Sequence, residues 1–149
     1  MAGVVAAAGC AGRPARSSES ERPPQSVTRA AELEAAGDFD GAVEALAGAV
    51  VAPGARAEVF FELQKAAVRA SAVAREKLSH LGESAAAPLH VPERRWEYSW
   101  LGAFACVEEH PRVTHQALLM LDPGGAVDEL TFSCGAGPER RTYFAVEAL

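Results

Sequence analysis

The sequence lacks long apolar runs and contains very little lysine. No stretch among its 149 residues reaches the about 18 consecutive apolar residues that a membrane-spanning helix needs, so any membrane attachment requires something other than a span. Lysine occurs only at Lys65 and Lys77, the formal net charge is −6, and the arginines form no basic stripe. Because nucleic acid is bound through clustered lysine and arginine that neutralise phosphates, this composition excludes nucleic acid as a predicted partner.

Motifs of common enzyme families are also missing. The chain contains no Gly-x-Ser-x-Gly nucleophile motif, no His-Glu-x-x-His metal motif and no phosphate-cradling glycine loop. Glu108, Glu109 and His110 could in principle serve acid–base chemistry, but such a polar run is more typical of a solvated loop. The sequence therefore predicts a protein that is not an enzyme and that has no cofactor.

The length and composition predict one globular domain preceded by a tail. Hydrophobic residues make up 49% of the chain and charged residues 23%, as in ordinary folded domains. Residues 10–26 are instead rich in proline, serine and mixed charge, which predicts a disordered tether. We expect a single domain over 27–149, helical over 27–82 and β-structured over 94–149, with a proline-containing connector at 83–93.

The start of the chain resembles the end of a bacterial lipoprotein signal peptide. Small and apolar residues fill positions 1–9, and Ala7, Ala8 and Gly9 stand directly before Cys10. Ala7 replaces the usual leucine, and no basic region precedes the apolar residues. The resemblance implies that residues 1–9 are a signal-peptide remnant and that Cys10 is lipidated. It also implies that a lipid anchor alone holds the protein at a membrane of the bacterial cell envelope.

Apolar residues recur at helical spacing between residues 27 and 82. The pattern predicts helices over 27–36, 39–51 and 55–81, and the break between the first two predicts a hairpin. This hairpin resembles part of a tetratricopeptide repeat, whose glycine, aromatic, small, large and second small positions are here Gly37, Phe39, Ala42, Leu46 and Ala49. No second copy follows at the 34-residue period of that repeat, so a single hairpin is favoured over a repeat array.

Alternation of apolar and polar residues predicts strands after Pro92. The predicted strands are 94–106, 113–121, 126–134 and 141–149, with a tight turn at 122–125. Helices followed by a strand meander predict an α+β fold, in which the N-terminal helical hairpin and a third helix pack on a C-terminal four-stranded antiparallel sheet.

An aromatic stripe lies in the first predicted strand, where Trp96, Tyr98, Trp100 and Phe104 share the parity of Cys106. Packing in the core is the favoured role of this stripe, because the opposite face is more polar. A stacking platform for a sugar or a peptide is the alternative.

The three cysteines suggest one anchor and one pair. If Cys10 is lipidated, Cys106 and Cys134 remain, and an exported protein occupies a compartment where disulfides persist. In a plain meander the second strand separates the first from the third, which puts these residues about 9–10 Å apart. Since a disulfide tolerates a Cα separation of only about 4.4–6.8 Å, a bond requires neighbouring first and third strands, or Cys106 leaving its strand.

The same cysteines also permit a zinc site. Cys106, His110, His115 and Cys134 are suitable ligand types, although they lack the paired Cys-x-x-Cys spacing of zinc modules.

Two function classes therefore remain open. The favoured one is a non-catalytic envelope lipoprotein that binds or scaffolds an unknown protein or envelope component, with Phe39, Leu46, Trp96 and Trp100 as the candidate interaction surface. The alternative is a small soluble cytosolic domain, with zinc binding through those cysteines and histidines as one option for its role.

Overall fold

The structure is a computed structural model that describes residues 22–146. The helices are α1 (Gln25–Ala35), α2 (Phe39–Val50), α3 (Ala57–Arg69), α4 (Ala72–Ser79) and α5 (Arg95–Trp100), which continues as a π-helical turn (Leu101–Ala105). The strands are β1 (Leu89–His90), β2 (Pro111–Met120), β3 (Ala126–Cys134) and β4 (Glu139–Ala145). The predicted signal remnant, Cys10 and most of the predicted tether lie outside the described residues.

The predicted helical hairpin is confirmed and consists of α1 and α2. Its turn passes through Gly37, whose φ of 79° favours glycine. The side chain of Asp38 then caps α2 by accepting a hydrogen bond from the backbone N–H of Gly41 at 2.8 Å. α1 begins at Gln25, so the folded domain starts slightly earlier than predicted.

The single helix predicted over 55–81 is wrong, because the chain breaks between α3 and α4. Ala70 ends the first helix in an extended conformation, and Ser71 caps the second by accepting a hydrogen bond from the N–H of Ala74. The carboxylate of Asp40 on α2 accepts hydrogen bonds from the backbone N–H of Ser71 at 2.7 Å and from its hydroxyl at 2.6 Å. A tertiary contact thus fixes a break that the apolar pattern alone did not reveal.

The strand predicted over 94–106 is also wrong, because this segment forms α5 and the π-helical turn. Trp96, Trp100 and Phe104 are four residues apart, and this spacing satisfies both the strand period of two and one face of a helix. A second row, at Glu97, Leu101 and Ala105, is buried as well. Two adjacent buried rows are typical of a helix, whereas a half-buried strand would expose one parity.

The sheet has four strands, as predicted, but it is mixed rather than fully antiparallel. Its order is β1-β4-β3-β2, and β2, β3 and β4 form the predicted antiparallel meander. β1 lies in the predicted connector and pairs parallel to β4, with Leu89 opposite Phe144. The backbone carbonyl of Gly82 accepts a hydrogen bond from Tyr143 N–H at 2.7 Å, which holds the chain beside β4.

The core lies between the helices and one face of the sheet. Its largest fully buried side chains include Leu46, Phe60, Leu63, Trp100, Leu101, Leu130, Phe132 and Phe144. The ring of Trp100 lies 6.1 Å from Phe60 on α3 and 4.5 Å from Phe104, so α5 and its continuation join the helical layer. Within residues 22–146, no helix is long and apolar enough to cross a membrane.

Candidate functional site

A disulfide joins Cys106 to Cys134, with a Cα separation of 5.4 Å, as one of the two sequence hypotheses predicted. The separation of about 9–10 Å that a plain meander would impose on the two cysteines does not apply, because residues 94–106 are not a strand of the sheet. Cys106 follows the π-helical turn and lies against the end of β3. The carbonyl of Ala105, which precedes it, accepts a hydrogen bond from the guanidinium of Arg140 on β4 at 3.0 Å, which fixes the position of this turn.

The disulfide also bears on the zinc alternative. Both sulfurs of the proposed ligand set are bonded to each other, so they could serve as thiolate ligands only in a reduced chain. His110 precedes β2, and His115 lies on β2 opposite Thr131. Among the described residues, no group of three or more His, Cys, Asp or Glu side chains is arranged to hold a metal ion. Zinc binding stays a prediction for the reduced protein.

The structure does not bring the four predicted interaction residues together on one surface. Leu46 and Trp100 are fully buried, because they lie on the core-facing sides of α2 and α5, and this corrects their assignment to a contact surface. Phe39 and Trp96 are partly exposed. Phe39 lies under the guanidinium of Arg69, near the end of α3, whereas Trp96 packs on the rings of Phe60 and Phe61 near its start. These two positions are separated by roughly 13 Å of helix rise.

An open groove, which we call the hairpin groove, lies between α2 and α4 and has a volume of about 270 Å³. Val43 and Leu78 are buried in its floor, with Ala47 and Leu81 beside them. The exposed rim carries Val73, together with the charged residues Asp40, Glu44 and Lys77. The groove therefore presents an apolar floor between two acidic side chains and one basic side chain.

The contact between Asp40 and Ser71 sets the distance between the start of α2 and the start of α4, the two helices that line the groove. The hydrogen bonds from the side chain and the backbone of Ser71 lower the pKa of Asp40. Asp40 therefore stays ionised at neutral pH and keeps α4 tied to the first turn of α2. The apolar stripe of α2 is visible in the sequence, but the groove is not, because its second wall depends on the unpredicted break before α4.

A second accessible surface is the outer edge of β2. β2 is the last strand in the sheet and pairs only with β3. Leu118 and Met120 on this strand are 47% and 72% exposed, and they lie on the face of the sheet that the helices cover elsewhere. Large exposed apolar side chains beside an open strand edge are typical of a contact surface.

A group of polar side chains, which we call the polar cluster, lies between α5 and β2–β3; its carboxyl groups, Glu97 and Asp128, are buried, whereas Arg94 and Tyr98 are exposed. Asp128 accepts hydrogen bonds through Oδ2 from Arg94 Nη2 at 2.7 Å and from Gln116 Nε2 at 2.8 Å. Gln116 Oε1 in turn accepts a hydrogen bond from the Tyr98 hydroxyl at 2.6 Å. Glu97 completes the cluster and is only 3% exposed. The cluster ties α5 to the inner face of the sheet.

The electrostatics of this cluster are dominated by the burial of Glu97. Burial raises the pKa of Glu97 from 4.5 to about 7, and the negative charge of Asp128 acts in the same direction. Arg94 opposes both effects. The strand interpretation of residues 94–106 put Glu97 on the polar face, so its burial was not predicted. The signal that could have revealed it is its position four residues before Leu101, within a row that a helix buries.

The described part of the chain thus combines a disulfide, the hairpin groove, the open edge of β2 and the polar cluster. The disulfide, the groove and the cluster each join side chains from segments that are distant in the sequence. Comparisons with protein-family models, with curated proteins and with solved structures found no match to this chain.

Proposed function

We propose that the protein is a non-catalytic lipoprotein of the bacterial cell envelope, whose domain binds another envelope protein through the hairpin groove. The hairpin groove is the observation that carries this proposal. The groove is open, has an apolar floor and has charged residues on its rim. Specific binding surfaces combine apolar contact area with a few polar groups that orient the partner.

The size of the groove favours a protein segment over a small metabolite. Pockets that enclose drug-sized ligands have volumes of about 300–1,000 Å³. At about 270 Å³, and open on one side, the hairpin groove suits one or two apolar side chains of a partner segment. Glu44 on its rim favours a lysine or arginine beside those side chains.

The disulfide supports a location outside the cytosol. Structural disulfides persist in the periplasm and at cell surfaces, whereas the reducing cytosol keeps thiols free. The Cys106–Cys134 bond therefore fits the lipobox resemblance of residues 7–10. A lipid on Cys10 and the predicted tether would place the domain beside the membrane and let the groove reach a partner.

The position of the carboxyl groups supports a binding role over a catalytic one. Glu97 has the strongly raised pKa that is often found in general acids. However, Glu97 and Asp128 are both buried in the packed polar cluster, where a substrate has no access to them. The raised pKa of Glu97 therefore makes the stability of the fold depend on pH.

A photo-crosslinking experiment tests the groove. A photoreactive residue is introduced at Val73, on the rim, in the full chain expressed in its own host. We expect a discrete adduct with one membrane-fraction protein, because Val73 is 67% exposed and lines the groove. The matched control is the same residue at Val68, an exposed α3 position that does not line the hairpin groove, which should give at least tenfold less adduct.

A second variant shows whether the adduct depends on the groove itself. Ala47→Trp fills the space between α2 and α4, so it should reduce the Val73 adduct at least tenfold. Circular dichroism of the purified variant checks that it is folded. Equal adducts at Val73 and Val68, or a Val73 adduct that persists in a folded Ala47→Trp variant, would contradict the proposal.

A further inference from the structure

Between Gln116 and Met120, the outer edge of β2 has three residues whose backbone groups point away from the sheet. At the hairpin end, Leu121 N–H donates a hydrogen bond to Gly125 O, so Leu121 directs its backbone groups towards β3. In an antiparallel pair this direction alternates along the strand. Met120, Leu118 and Gln116 therefore direct their N–H and C=O groups outwards. Within residues 22–146, these outward groups have no hydrogen-bond partner.

This part of the edge carries little of the protection that sheet edges usually have. Edge strands are commonly protected by proline, by bulges or by charged side chains, especially lysine. In β2 the proline is the first residue, and the irregularity in pairing lies between Val113 and His115. From Gln116 to Met120 the strand is regular and carries no charged side chain. The unprotected half of β2 is thus the half with exposed Leu118 and Met120.

We propose that the occupant of this edge is β2 of a second copy of the protein, paired antiparallel about a two-fold axis at Leu118. This register is the one that pairs all three outward residues with one another. Leu118 lies opposite Leu118 of the second copy, and Gln116 lies opposite its Met120. About six backbone hydrogen bonds then join the two copies, and the two four-stranded sheets become one continuous sheet.

The side chains of β2 are complementary to themselves in this arrangement. On the helix-covered face, Leu118 meets its own copy, which removes exposed apolar surface from water at the two-fold axis. On the other face, Ala117 lies opposite the second copy's Leu119. The charges also match, because exposed Arg112 lies near the start of β2 and exposed Asp122 follows its end. Antiparallel pairing brings the Arg112 end of one strand to the Asp122 end of the other.

The dimer leaves the hairpin groove available. No residue that lines the groove belongs to β2, so the two surfaces are distinct. Dimerisation therefore does not depend on the proposed function. If both hold, a dimer presents two grooves and binds a repeated or clustered partner with higher avidity than one domain.

Sedimentation of the full chain tests the dimer. We use the Cys10→Ala variant with the Cys106–Cys134 bond intact, and we expect a mass twice the 15.6 kDa of one chain. Leu118→Lys places two like charges opposite each other at the two-fold axis and should raise the dimer dissociation constant at least tenfold. Leu118 is about half exposed, so the variant should fold, and Met120→Lys provides a second test. Val68→Lys on exposed α3 is the matched control and should stay dimeric.

A crosslink tests the register. In the proposed pairing the two Leu118 Cα atoms lie about 5.5 Å apart, within the range that a disulfide spans. Leu118→Cys should therefore give a covalent dimer on mild oxidation, and Val68→Cys should not. A Cys10→Ala chain that sediments as a monomer at high concentration would overturn the proposal. So would a dimer that survives both Leu118→Lys and Met120→Lys, or a Leu118→Cys variant that forms no covalent dimer on mild oxidation.

Discussion

Removing the Cys106–Cys134 disulfide should lower the free energy of unfolding by about 3–4 kcal/mol. The two cysteines are 28 residues apart, so the bond closes a long loop in the unfolded chain and reduces its conformational entropy. The bond also holds the end of the π-helical turn against β3, where Cys106 is buried. For a domain of this size, such a loss is a large part of the total stability.

Urea unfolding measures this loss. The double variant Cys106→Ala and Cys134→Ala is compared with the oxidised chain at one pH and temperature. Cys10→Ala is the matched control, and it should leave the unfolding midpoint unchanged because Cys10 lies outside the disulfide. Alkylation before unfolding should detect no thiol at Cys106 or Cys134. An unchanged midpoint in the double variant would contradict the stabilising role of the bond.

Raising the pH from 5 to 8 should destabilise the fold through Glu97 by roughly 2–3 kcal/mol. Burial raises the pKa of Glu97 to about 7 in the folded state, whereas 4.5 is its ordinary value. Between these values the folded chain binds more protons than the unfolded chain, so its stability falls as the pH rises. Above pH 7 the fold must hold an ionised Glu97 beside Asp128.

Glu97→Gln should remove this loss, because a neutral amide of the same shape replaces the carboxyl and can donate a hydrogen bond to Asp128. We therefore expect Glu97→Gln to be more stable than the wild type at pH 8, and its stability to depend less on pH. His80 also makes the fold less stable as the pH rises, since hydrogen bonds to Glu83 and Glu76 raise its pKa. The difference between wild type and Glu97→Gln isolates the effect of Glu97.

Denaturant unfolding at several pH values between 5 and 8 gives the measurement. The matched control is Glu108→Gln, which changes an exposed carboxylate in the loop before β2 and should follow the wild-type curve. If the curves for wild type and Glu97→Gln run parallel over this range, Glu97 does not carry a raised pKa in the folded protein.

The parts of the fold that the sequence predicted correctly depend on local signals. Gly37 and Asp38 mark the hairpin turn, and residues 122–125 mark the turn between β2 and β3. The strand prediction for residues 94–106 failed because the four-residue spacing of the aromatic residues fits a strand and a helix equally well. β1 is two residues long, and only its pairing with β4 identifies it as a strand.

The candidate site was less predictable than the fold, for a physical reason. The cysteine pair was recognisable because lipidation of Cys10 would leave only two cysteines, which have a single way to pair. The hairpin groove requires α2 and α4 to lie side by side, and the edge of β2 requires the order of strands in the sheet. Leu46 and Trp100 are buried, so they are not contact residues. The sequence did not reveal this, because an amphipathic stripe looks the same whether it faces the core or a partner.

The intact mass of the protein purified from its own host, alkylated without prior reduction, tests the envelope-lipoprotein proposal most directly. We predict a mature chain that begins at an acylated Cys10 and carries no alkylated thiol. A chain that begins at Met1 or Ala2 with three alkylated cysteines would contradict both the lipid anchor and the Cys106–Cys134 bond in the cell. That result would favour a reduced cytosolic protein, for which zinc content is the next quantity to measure.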